Sequence, residues 1–313
     1  MTAIRVEGLR KRFGQVQALD GLTFTVQQGA VFGFLGPNGA GKTTTIRILT
    51  GLARPSGGRA WVLGMDVSTA RREIARRIGY LPEEPVFYPW MTARELLDHV
   101  GRMFGLPGRE RRARVNELLD QVGLSQVGGR RIGAFSRGMR QRLGIAQALI
   151  NRPALLFLDE PMSALDPAGR REVLELLDRL RADCSILMST HVLSDVERVC
   201  DTVGIIARGR MVIEAPREEL LARYAAPAFE IEGEPGNEGA LAAWAEGLRN
   251  ARWAMHVAVV GTAVRVVASD VAAAKRELLP SAVAAGLTLA RYEIARPSLE
   301  DVFLQLVGAG EVA

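Results

Sequence analysis

This chain of 313 residues has almost no lysine, almost no cysteine and no long hydrophobic run. The two cysteines, Cys184 and Cys200, show no metal-ligand spacing. Cys184 precedes an apolar strand-like run and Cys200 ends a helical pattern, so both read as buried thiols. No apolar stretch approaches the roughly 20 residues needed to cross a bilayer. The start, Met1 to Glu7, lacks the apolar segment of a secretory signal. Together these absences predict a chain kept in the cytosol. Only Lys11, Lys42 and Lys275 are lysines, so the net charge of +5 rests on arginine. A basic excess is compatible with nucleic-acid or lipid-headgroup contact. The densest run, Arg109 to Arg114, reads as a solvated helix face.

With 48% apolar and 24% charged residues, the composition is that of a globular protein, and the length predicts two domains. Strand-like alternation marks Ile4 to Val6 and Leu22 to Val26, and glycines bound another strand between Gly57 and Gly64. From about residue 86 to 150 the pattern is helical, with Leu96, Leu97, Val100 and Met103 at helix spacing. Ala154 to Leu158, Ser185 to Met188 and Val203 to Ile206 look like buried parallel strands. An α/β parallel sheet with its ligand at the strand C-termini follows. Composition shifts near Ala225-Ala226-Pro227. The tail then reads as a βαββαβ unit over about 225–308, a small α+β ferredoxin-like domain ending in a helix over Leu299 to Leu306.

Residues Gly36-Pro37-Asn38-Gly39-Ala40-Gly41-Lys42-Thr43 fit the G-x-x-x-x-G-K-[ST] phosphate-binding loop. An apolar run, Ala30 to Leu35, precedes it, and a helix opens after it at Thr44. Glycines let the backbone N–H groups turn inward on phosphate oxygens, and the helix start adds partial positive charge. Lys42 is expected to reach the β- and γ-phosphates, and the Thr43 hydroxyl to hold Mg²⁺. Farther on, the run Ala154 to Leu158 ends in Asp159-Glu160. An acidic pair at that sheet edge places Asp159 in the Mg²⁺ shell and Glu160 as general base on the attacking water.

With those residues the chain resembles the nucleotide-binding subunit of an ABC transporter, over residues 1 to about 220. Phe135-Ser136-Arg137-Gly138-Met139 is similar to the family signature, Ser163-Ala164-Leu165-Asp166 to the D-loop, His191 to the switch histidine and Phe13 to the aromatic that stacks on adenine. The resemblance implies a phosphate-loop (RecA-like) ATPase core, residues 1–222, with antiparallel β and helical subdomains. It also implies that Ser136 and Gly138 contact the γ-phosphate held by the opposite subunit of a homodimer. On the residues alone, Ser136 reads equally as a simple helix N-cap. Glu83 stands where the family has a Mg²⁺-contacting glutamine, and reads either as a metal ligand or as part of a solvated acidic loop. Phe13 either stacks or packs.

Pro297-Ser298-Leu299-Glu300-Asp301-Val302-Phe303 resembles the end of the extra domain of drug-resistance and sodium-export ABC ATPases. That implies ATP and Mg²⁺ as cofactors and a separately encoded membrane permease as partner. It also implies a place on the inner face of the cell membrane, with no nucleic acid expected. Phe87-Tyr88-Pro89-Trp90-Met91 either help to form the groove for the permease or pack inside the helical subdomain. The competing function is a non-transport ABC ATPase acting on nucleic acid or ribosomes. A single phosphate loop and the lack of sustained heptads stand against it. A third reading, a subunit that binds ATP without turnover, is opposed by Glu160 and His191.

Overall fold

The computed structural model describes every residue except 164, 224–226, 235, 296–297 and 304–313. Of the expected features, Ala164, Ala225, Ala226, Pro297 and residues 304–306 lie outside the described residues. The chain divides into two compact units, 1–217 and 218–313.

The first unit runs β1 (Thr2–Phe13), β2 (Val16–Gln27), β3 (Val31–Leu35), α1 (Lys42–Leu49), β4 (Gly57–Val62), β5 (Met65–Asp66), α2 (Arg71–Arg77) and β6 (Ile78–Leu81). It continues through α3 (Ala93–Met103), α4 (Gly108–Gln121), α5 (Arg137–Ala148), β7 (Leu155–Asp159), α6 (Pro167–Leu180), β8 (Ser185–Thr190), α7 (Leu193–Val199), β9 (Thr202–Ala207) and β10 (Arg210–Pro216). Helix α8 (Arg217–Arg223) follows.

The six-stranded sheet has the order β10-β9-β3-β8-β7-β6, parallel except for the edge strand β10. Every residue of β3, β7 and β8 is buried, as continuous apolar runs require in a sheet covered on both faces. A second, antiparallel sheet has the order β2-β1-β4-β5. Phe24 of β2 stacks on Phe32 and Phe34 of β3, with ring centroids 5.6 and 5.4 Å apart, and so joins the two sheets. Register sets the active edge. Leu81 pairs with Leu158, Asp159 with Ser189, and Leu35 with Thr190. The residues that follow β3, β6, β7 and β8 therefore emerge at one level.

Three expectations for the helical segment need correction. The first helix starts at Ala93 rather than near 86, because Pro82, Pro85 and Pro89 punctuate the approach. Its start is fixed by a capping box: Thr92 Oγ1 accepts from Glu95 N–H, and Glu95 Oε2 from Thr92 N–H. Met103, read as part of the apolar stripe, is exposed. The run Arg109 to Arg114 is also not a uniformly solvated face. Arg111 donates to Asp98 Oδ1 and to Leu106 O, and buried Arg114 donates to Leu149 O at the end of α5. These long side chains span the gaps between helices and satisfy terminal carbonyls there.

The second unit contains β11 (Ala228–Gly233), α9 (Glu238–Leu248), β12 (Ala254–Val260), β13 (Ala263–Ala268), α10 (Val271–Ala284), β14 (Leu289–Ala295) and α11 (Leu299–Phe303). Its antiparallel sheet has the order β12-β13-β11-β14 over its own core, including Phe229, Ile231, Trp244, Val264 and Leu278. Both cysteines, Cys184 and Cys200 of the first unit, are buried. Burial raises the Cys184 thiol to about 11 and pushes Cys200 up as well.

Candidate active site

The loop between β3 and α1 curls because its glycines allow it. Gly39 and Gly41 adopt φ of 79° and 110°, the left-handed region that side chains resist. A Cβ on Gly36 would stand 2.3 Å from Ile206 O, so only glycine fits there. The loop, with Thr44, borders a cleft of about 320 Å³ that is also lined by Ala18, Glu83, Glu160 and His191. Lys42 lies at its floor, donating to Gly36 O (2.6 Å) and Pro37 O (3.3 Å), with Glu160 Oε1 3.7 Å away. Burial lowers the Lys42 pKa from 10.5, while Glu160, Asp159 and Glu83 pull it partly back.

The acidic pair is held from the neighbouring strand. Ser189 Oγ donates to Asp159 Oδ1 (2.5 Å), and Glu160 N–H donates to Ser189 O and Oγ. Asp159 Oδ2 is buried without a hydrogen-bond partner among the described residues, a lone-pair site such as a cation or bound water requires. Glu160 is buried and has φ of 48°, a left-handed conformation that costs a non-glycine residue about 1–3 kcal/mol. Its Oε2 accepts from His191 Nδ1 at 3.0 Å; a carboxylate offers only acceptors, so Nδ1 carries the proton. Gln141 Nε2, buried in α5, donates to Glu160 O at 3.5 Å. Among the described residues no group of three acids, histidines or cysteines forms a ready-made metal cage.

The cleft thus brings together Pro37 to Thr44 of the loop with Glu83, Glu160 and His191; Gly36 and Asp159 are not among its lining residues. It does not bring in Ser136, Gly138 or Asp166. Those three line a separate concavity of about 460 Å³ with Arg137, Met139 and Glu172. Ser136 caps α5, its side chain accepting from Met139 N–H (3.2 Å), and Asp166 caps α6 through Gly169 N–H (3.0 Å). Phe13 does not line the cleft; its ring is 53% exposed, with Lys11 Nζ 4.6 Å from the centroid. Tyr88 and Trp90 lie against each other with tilted rings, 5.1 Å between centroids, and are 55% and 64% exposed, so they do not pack inside the helical subdomain. An apolar groove of about 210 Å³ lies elsewhere on the unit, lined by Leu52, Ala75, Tyr80, Val100 and Phe104 among others. The sequence reading missed Ser189 and Gln141. A lone serine and a lone glutamine carry no pattern, and only the pairing of β7 with β8 and the approach of α5 give them partners.

The ABC transporter family model matches residues 19–163. YxlF of Bacillus subtilis (strain 168), an uncharacterized ABC transporter ATP-binding protein, is 39% identical over 307 residues, covering 98% of this chain and all of that one. The daunorubicin resistance ATP-binding protein DrrA2 of Streptomyces coeruleorubidus is 37% identical, over 98% of this chain and 95% of its own length. A solved structure of the ATP-binding subunit of an ABC transporter superposes with a TM-score of 0.66 at 31% identity, covering 71% of this chain and 93% of that one.

Proposed function

This chain belongs to the family of ABC transporter ATP-binding proteins, and from that premise we propose that it hydrolyses ATP as the energy-supplying subunit of an exporter. The observation that carries the reading is the convergence of Lys42, Glu160 and His191 on one cleft beside the glycine loop, with Asp159 next to Glu160 at the end of β7. The loop's N–H groups and Lys42 hold the β- and γ-phosphates, and Phe13 supplies an exposed ring for the adenine. Thr43, Asp159 and Glu83 are the oxygen donors for Mg²⁺, which neutralises phosphate charge when bound; one or two carboxylates completed by substrate phosphates suit this ion better than a protein cage.

Glu160 Oε accepts a proton from the attacking water as general base. His191, donating to Glu160 from Nδ1, orients that carboxylate and presents Nε2, the acceptor in that tautomer, to the attacking water. The phosphate-facing groups of α5 and α6 lie in a different concavity from the loop. Ser136, Gly138 and Asp166 therefore complete the site of a second copy in a head-to-tail homodimer. Export as the direction rests on the daunorubicin-resistance relative. A separately encoded permease, which holds the chain at the inner face of the membrane, docks on the apolar groove at Leu52, Tyr80, Val100 and Phe104, with Tyr88 and Trp90 exposed for the same role. No helix among the described residues is long and apolar enough to cross a membrane, so the spanning part belongs to that partner.

The test is Glu160→Gln. It keeps ATP binding and lowers phosphate release by about 10²–10⁴-fold, the usual loss with a general base. Near wild-type turnover in the variant would refute the assignment.

A further inference from the structure

His191 meets Glu160 through one 3.0 Å contact, and its side chain is 53% exposed, so its backbone decides where the ring stands. That backbone is a two-residue joint, His191–Val192, between the end of β8 and the start of α7. Val192 N–H donates to Thr190 Oγ1 (3.0 Å), and Asp195 N–H to Val192 O (3.3 Å). A shift of α7 is therefore a shift of His191.

Two kinds of contact hold α7. Val196 is fully buried against the bare backbone of Gly33 in β3, where a Cβ would stand 2.6 Å from Val196 Cγ1. Apolar contact of this kind sets depth, but it is non-directional and does not oppose sliding. The directional contacts are polar. Arg170 Nε, in the first turn of α6, donates to Asp195 Oδ1 at 2.6 Å. Arg217 Nη1 donates to Glu197 O at 2.6 Å, and Arg198 faces Glu175 of α6 at 3.7 Å with both side chains about half exposed. The Arg170–Asp195 pair is the one that grips the first turn of α7, next to the His191–Val192 joint. Asp195 is buried, and its Oδ2 and Arg170 Nη2 find no other hydrogen-bond partner among the described residues. A buried ion pair is a weak source of stability, since apolar replacements are often neutral or better. Its usefulness here lies in fixing geometry.

We propose that the Arg170–Asp195 pair positions His191 for hydrolysis, acting through α7 rather than by touching nucleotide. The proposal rests on the reading of the cleft as an ATPase site and adds two positioning residues to it. Small displacements of reacting groups are expensive in rate; a misplacement of about 1 Å costs as much as 10²-fold.

The experiment is a double-mutant cycle on the full chain, with kcat from phosphate release and ATP affinity from a fluorescent analogue. Asp195→Asn lowers kcat about 10- to 10²-fold with unchanged affinity, and Asp195→Glu, which keeps the charge, recovers part of the loss. In a His191→Ala background the same Asp195→Asn change lowers kcat no further, because the residue it positions is gone. Loss by the same factor in both backgrounds would mean a general structural role and overturn the proposal. If Asp195→Asn does not fold, Arg170→Gln takes its place in the cycle, because Arg170 is one-third exposed and tolerates truncation. A slow His191→Ala beside an unaffected Asp195→Asn overturns the pair's role alone. Normal hydrolysis by His191→Ala overturns the site reading itself, and the proposal with it.

Discussion

Lys42 carries its charge in a buried site, and that has a measurable consequence. Burial lowers its pKa from 10.5, so between the lowered value and 10.5 the unfolded chain binds more protons than the folded one. Protein stability without nucleotide therefore rises with pH through that window. Nucleotide affinity moves the other way, because the phosphates require the charged ammonium. ATP affinity should fall as the solution is made alkaline, beginning below the pH at which a free lysine titrates. Lys42→Arg, which keeps its charge there, should flatten the fall. A fluorescent-analogue titration between about pH 7 and 10 measures this; an equally steep fall in the arginine variant would assign it to another group. At this scale the sequence was informative wherever a residue ends an apolar run. Asp159 ends β7, Glu160 and His191 directly follow β7 and β8, and Lys42 stands after the loop that leaves β3; a strand's C-terminal end is where an α/β sheet puts its ligand. Ser189, Gln141, Arg170 and Asp195 were illegible, because each acts only through a partner 19 to 30 residues away.

Helix α5 shows how much an element owes to one local signal. Ser136 is extended, its hydroxyl accepts from Met139 N–H, and buried Leu143, Ala146 and Leu149 follow on one side. Ser136→Ala should therefore cost about 1 kcal/mol as a lost N-cap. Thermal unfolding of the variant reads that loss, and an unchanged midpoint would show that the cap contributes nothing. β3, β7 and β8 were visible beforehand as continuous apolar runs. β6 and β10 were not. β6 has only four residues and sits beside prolines, and β10 carries Met211, Val212 and Ile213 in a row rather than the strict apolar–polar alternation of a half-buried strand. Proline spacing also explains why the helical segment begins later than its periodicity implied, at Ala93.

The molecule as a whole is two units with separate cores, and the chemistry described here lies within residues 1–217. A chain ended after about residue 222 should fold and bind ATP, since every described residue that lines the cleft lies within residues 1–217. Circular dichroism and nucleotide titration check this, and an insoluble or non-binding fragment would contradict it. The larger claim is that one copy supplies the loop and acidic pair while a second supplies Ser136 and Gly138. The separation of the two concavities motivates it. Ser136→Arg puts a bulky cation where the opposing phosphate docks but spares the loop; Lys42→Ala does the reverse. Each alone should be nearly inactive. The most direct measurement is phosphate release after mixing the two purified variants. In a mixed dimer one site is doubly damaged and the other has both wild-type halves, so activity should exceed the sum of the separate proteins. Normal hydrolysis by Ser136→Arg alone, or no gain on mixing two folded variants, would contradict the shared site.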